Sequence, residues 1–226
     1  EMTEKPMLDL FEDFLVRNPY TFIESLCVFI PFYIGFYRRR RLSADFRWLL
    51  LYPVLLFLTD IPLWLTAIHG MNNRRWSNLQ EILCSAFLFF VLYKMIESFS
   101  QKQLCLVLVG LIIITALNFD FFDFSGMMYS YVRVVYIVLS FVFFYELLEK
   151  MEVDNLLRNG KFWFFVGLLL SSLGTILLYY FTNYTSYFKD PKSHSFVNGL
   201  VHSFKYFFVF LISLAFIFNA KPKAMD

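Results

Sequence analysis

The sequence predicts an all-α, polytopic membrane protein: a bundle of seven transmembrane helices, N-terminus outside, C-terminus cytoplasmic. Three observations carry this. Between Pro19 and Asn219 lie seven apolar stretches, each about long enough to cross the ~30 Å hydrocarbon core as a helix. The composition is 59% hydrophobic and 17% charged, where a soluble domain has roughly 45–50% and about 25%. Lys and Arg also fall unevenly on the two sides of the stretches, which fixes a direction.

Residues 1–19 form the first segment. They are acidic (Glu1, Glu4, Asp9, Glu12, Asp13) but carry an amphipathic pattern, Met7, Leu8, Leu10, Phe11, Phe14 and Leu15. That predicts an interfacial helix rather than a cleavable leader. The transmembrane domain covers 20–219, with spans at 20–38, 46–68, 78–98, 103–119, 128–148, 161–182 and 198–219. Loop chemistry separates them: Arg38–Arg41 after the first, Gly70-Met71-Asn72-Asn73 after the second, Asn159-Gly160 before the sixth. Pro53 and Pro62 predict kinks in the second span, on either side of Asp60. The fourth span is the shortest and most apolar. Gly167, Ser171 and Gly174 make a ridge of small residues on the sixth, suited to close packing within the bundle or against a second copy. Residues 220–226 are a cytoplasmic tail.

Orientation follows from the basic residues flanking the spans. Arg38–Arg41, Arg47, Lys94, Lys102, Lys150, Arg158, Lys161, Lys221 and Lys223 fall on one side. Lys5, Arg17, Arg74, Arg75, Lys189 and Lys192 fall on the other. The richer side is cytoplasmic by the positive-inside rule.

Ionisable groups inside spans cost several kcal/mol unless paired or hydrated, so they mark the site. Glu24, Asp60, Glu81, Arg133, His202 and Lys205 sit on five different spans, ~6–12 Å below the outer surface at 1.5 Å per residue. His202 and Lys205 share a helix face with Asn198 one turn earlier, and Tyr129 and Tyr136 flank Arg133. Asp60, Glu81, Arg133, His202, Lys205, Tyr129 and Asn198 therefore form a predicted ligand pocket open to the outside. The competing expectation is purely structural: Glu81 with Arg133, or Asp60 with Lys205, pairing between helices and locking the bundle.

Other classes fit less well. A net charge of +2 with no basic run in a soluble context excludes nucleic acid. Cys27, Cys84 and Cys105 lack metal spacing, and His69, His194 and His202 form no zinc motif, so neither metal nor cofactor is expected. No nucleophile–base arrangement or phosphate loop is readable, which points away from an enzyme. Lys205 in a seventh span resembles the Schiff-base lysine of retinal proteins. The acid four residues before it is absent, however (Val201 stands there), as are the receptor marks Asp-Arg-Tyr and Asn-Pro-x-x-Tyr.

Four short motifs add a resemblance: Tyr145-Glu146-Leu147-Leu148, Phe162-Trp163 followed by Gly167, Asn72-Asn73, and Asn78 to Glu81. With the length and the spacing of the spans, they resemble a family of seven-span integral membrane proteins of Bacteroidota with no established activity. The resemblance implies a bacterial inner-membrane location and, from members encoded near small histidine kinases, a sensor that passes a signal to a partner. It implies no catalytic residue. The functional expectation is thus a non-enzymatic, receptor-like sensor that binds a small polar or amphipathic ligand. A separate partner would dock on Arg38, Arg39, Arg40 and Arg41. The alternatives are a small transporter or channel using the same charges, and a structural subunit of a membrane complex.

Overall fold

Long runs of Leu, Phe, Ile and Val without turn residues satisfy their backbone polar groups locally, as hydrocarbon demands, and they fold as helices. The computed structural model describes residues 23, 25–118, 125–150, 156–188 and 191–219, excepting the side chains of 118, 150, 180–188 and 191–198. The helices are α1 (Ser25–Arg38), α2 (Ala44–Ile68), α3 (Arg74–Met95), α4 (Gln101–Asn118), α5 (Gly126–Lys150), α6 (Gly160–Phe188) and α7 (Pro191–Asn219). A 3-10 turn, Leu156–Arg158, precedes α6. No strand occurs among the described residues. The interfacial segment 1–19, the tail 220–226 and Glu24 lie outside them.

Five of the helices, α2, α3, α5, α6 and α7, contain stretches long and apolar enough to cross a bilayer. That makes the chain a multi-pass membrane protein by helix length and composition. The apolar stretches Ser25–Arg38 and Gln101–Leu117, both expected as spans, are shorter among the described residues.

Local chemistry sets the ends. The α2 terminus is a Schellman turn: Gly70 has φ +65°, the Met71 N–H reaches the Thr66 carbonyl at 2.9 Å, and the Gly70 N–H reaches Ala67 at 3.1 Å. Pro53 brings no N–H to the Leu49 carbonyl, and the first turn of α2 (Ala44–Leu49) is accordingly set off at Leu50. Helix α3 starts four residues before the expected 78, because Asn72 Oδ1 accepts the Arg74 N–H at 3.0 Å. It stops at Met95 rather than 98. Ile96 is extended, and Glu146 of α5 takes the N–H groups of Glu97 and Ser98 at 3.3 and 2.5 Å. Ser100 and Gln103 then form a reciprocal capping box that opens α4.

The helices close into a ring in which α1 packs on α2, α2 on α3, α3 on α5, α5 on α6, α6 on α7, and α7 back on α1. Helix α4 stands outside, against α3 and α5, with Leu106, Ile112 and Leu117 exposed. One end of the ring holds the C-termini of α1, α3 and α7 beside the N-termini of α2 and α6, tied by cations on helix carbonyls. Arg38 Nη1 donates to the Ile217 carbonyl at 2.8 Å. Lys161 Nζ donates to the Met95 carbonyl at 3.0 Å and pairs with Asp45 at 3.3 Å. Above this basic end the ring is solid. Phe46 and Leu49 of α2, Phe89 and Leu92 of α3, and Phe164 and Phe165 of α6 are fully buried. Phe143 of α5 stacks on Phe165 with ring centroids 4.0 Å apart, and Phe46 meets Phe216 of α7 edge-on. Lipid is as apolar as these rings, so close contact rather than release of water holds them together.

The ridge of small residues on α6 serves the α6–α7 contact inside this bundle. Gly167 abuts Leu211 and Phe208, and Gly174 abuts the Phe204 ring. Gly160 is pressed against backbone: a methyl group there would stand 2.5 Å from the Ala215 carbonyl oxygen and 2.8 Å from the Asn219 nitrogen. Gly160→Ala should therefore lower thermal stability by about 1–3 kcal/mol. It should do so more than Gly174→Ala, because an aromatic ring can turn aside and a backbone cannot. Equal melting temperatures for Gly160→Ala and wild type would refute the close approach.

Candidate functional site

The inward face of each ring helix can be followed by helical spacing. On α2 it reads Tyr52, Leu56, Asp60, in steps of four. On α3 it reads Glu81, Ser85, Leu88, with Gln80 and Cys84 beside it. On α5 it is Arg133 and Tyr136, on α6 Leu168, Ser171 and Ser172, and on α7 Lys205, Phe208 and Val209, while α1 adds Val28. These faces enclose one cavity of about 120 Å3, lined by all six ring helices and by no residue of α4. It extends ~12 Å along the bundle, as Tyr52 to Asp60 does at 1.5 Å per residue. On every ring helix from α2 to α7, the residues next toward the basic end belong to the solid core.

Two carboxylates and two cations reach this space. Glu81 and Arg133 form a bidentate pair across α3 and α5, at 3.1 Å (Nη1–Oε1) and 3.4 Å (Nη2–Oε2), with side chains only 13% and 14% exposed. Ser85 donates to Glu81 Oε1 at 3.1 Å. The guanidinium also faces the rings of Tyr136 and Tyr179, 5.7 and 5.3 Å away. Asp60 accepts from Ser25 of α1 at 2.5 Å and from Gln80 of α3 at 2.6 Å, which joins three helices through one carboxylate. Gln80 also donates to Thr59 at 3.0 Å. Lys205 enters the cavity wall from α7.

The α6 serines are placed differently from others in the bundle. Ser140, Thr175 and Ser213 turn their hydroxyls back to the carbonyl four residues earlier, at 2.7 to 2.9 Å. Among the described residues the hydroxyls of Ser171 and Ser172 make no such bond, and both residues line the cavity.

Of the residues expected from sequence, Asp60, Glu81, Arg133 and Lys205 meet in this cavity. His202 lies half-buried one turn away, and Tyr129 is buried behind the wall; neither lines it. The Tyr129 hydroxyl donates to the Ser77 carbonyl at 2.9 Å, and its ring lies 4.9 Å from that of Tyr179. The Asn198 side chain falls outside the described ones. Arg38 is engaged with α7, Arg39 lies 4.3 Å over the Phe36 ring, and Arg40 and Arg41 are exposed. Lys205 sits deeper along its helix than expected, because α7 begins at Pro191 rather than 198. Sequence reasoning missed Tyr52, Ser25, Gln80 and Ser172. The step of four from Asp60 back through Leu56 would have found the first.

Searches against protein-family models, curated proteins and solved structures return no match for this chain. The geometry alone therefore speaks for the site.

Removing one member of a buried pair leaves the other charge stranded, typically at a loss of ~3–5 kcal/mol. Glu81→Ala and Arg133→Ala should each lower the melting temperature in detergent markedly. The doubly exchanged Glu81→Arg, Arg133→Glu protein should recover part of the loss. Additive losses in the double variant would show that the two groups do not act as a pair.

Proposed function

We propose that this protein is a seven-span, receptor-like sensor of the bacterial inner membrane, with its N-terminus outside, its basic end in the cytoplasm and its cavity reached from outside. One observation carries the reading: a charge-lined cavity, walled by six helices, that stops on a solid apolar layer before the basic end. A binding site needs such a chamber with a floor, whereas a conducting path needs a polar route through. The collection of Arg38, Lys94 and Lys161 at one end supports the orientation, and the packing of α1 against α2 and α7 and of α4 against α3 and α5 supports seven spans. Signal output would pass to a partner at the exposed arginines Arg39, Arg40 and Arg41, next to the clip that Arg38 makes with α7.

Labelling of single cysteines tests this reading. In protein otherwise free of cysteine, an impermeant methanethiosulfonate should modify Ser171→Cys in intact cells but not in inside-out vesicles, and Arg40→Cys should show the reverse. Modification of Ser171→Cys from inside, or from both sides, would replace the receptor by a transporter with alternating access. Modification of Arg40→Cys from outside would invert the topology.

A further inference from the structure

We infer that the cavity takes a small zwitterion of amino-acid size, its anionic group toward Lys205 and the α6 serines and its cationic group toward Asp60. The inference rests on the cavity being a binding site, and three features beyond that reading support it. The first is charge. Among the described residues Asp60 and Glu81 balance Arg133 and Lys205, so the described lining is formally neutral. A ligand carrying net charge would bring an uncompensated charge into a low-dielectric interior, and an apolar one would strip water from charged groups without replacing it. A zwitterion does neither.

The second is hydrogen-bonding capacity. Arg133 is committed to Glu81 through both arms of its fork. Asp60 receives Ser25 and Gln80 among its partners, on a carboxylate with about four acceptor positions. The Lys205 ammonium has three donors to share between its protein partners and a guest. The hydroxyls of Ser171 and Ser172, which bond to no described residue, stand one turn of α6 beyond Gly167 and Leu168, on the wall next to α7. Donors for an anionic group thus gather on α6 and α7, and acceptors for a cationic group gather on α2.

The third is size. A space of about 120 Å3 is slightly below the ~150 Å3 that admits a benzene-sized guest, which limits the occupant to roughly five to seven non-hydrogen atoms. Val28, Leu56 and Leu168 leave an apolar part of the wall for a short aliphatic portion. A lipid, a nucleotide or a sugar is too large.

The experiment measures the melting temperature of the purified full chain in nanodiscs with four separate probes: glycine, L-alanine, acetate and methylammonium. Glycine or alanine should raise it by several degrees at saturation, since a ligand that binds only the folded state stabilises by mass action. Acetate and methylammonium should not, alone or mixed. The shift should vanish in Lys205→Met and in Ser171→Leu, which fills the cavity without touching the ion pair. A shift that survives in Ser171→Leu would place binding elsewhere and overturn the inference. Stabilisation by acetate or methylammonium but not by the zwitterions, lost in Ser171→Leu, would also overturn it while leaving a receptor cavity. No shift with any probe overturns the zwitterion whatever the labelling of Ser171→Cys shows, and that labelling decides separately whether a receptor remains.

Discussion

A charged side chain cannot face hydrocarbon without a large penalty, and this requirement organises the molecule. Asp60, Glu81, Arg133 and Lys205 sit on four different helices, so all four helices must turn the same faces toward one another. That is possible only if the bundle closes. The contact of α7 with α1 closes it, and Ser25 of α1 then lies where it can donate to Asp60. Helix α4 has no charged residue past Lys102 and no reason to join the ring, and it stands outside with Leu106, Ile112 and Leu117 exposed. Ring membership follows the distribution of polar groups.

The ring is differentiated along its length. Toward the basic end, rings and branched side chains fill it completely, and cations from α1 and α6 cover the carbonyl ends of α7 and α3. Farther along, the same faces carry carboxylates, cations and hydroxyls, which cannot interlock as tightly and leave a cavity. Close α6–α7 contact through Gly160, Gly167 and Gly174 spans both zones, so the filled part and the hollow part share one rigid pair of helices.

Much of this could be read from the chain before any coordinates. Unbroken apolar runs located the helices, and the isolated charges located Asp60, Glu81, Arg133 and Lys205, including the partnership of Glu81 with Arg133. Lateral facing was not readable, because it depends on which helix neighbours which. Hence His202, one turn from Lys205, misses the cavity, and Tyr129, one turn from Arg133, lies behind its wall. Arg38 looked like its three neighbours in sequence, yet it is the one within reach of the α7 terminus. Ser171 was legible as a small residue for packing. That its hydroxyl serves the cavity depends on the ring order that sets α6 beside α7.

The equal numbers of acidic and basic groups around the cavity have an electrical meaning. Moving one elementary charge through the full membrane potential changes its energy by about 2.3 kcal/mol per 100 mV. For Asp60, Glu81, Arg133 and Lys205 displaced together those contributions cancel. A rigid movement of this layer along the membrane normal therefore carries no net gating charge. A membrane voltage rises and collapses with metabolic state, and a layer whose charges cancel does not follow that variation.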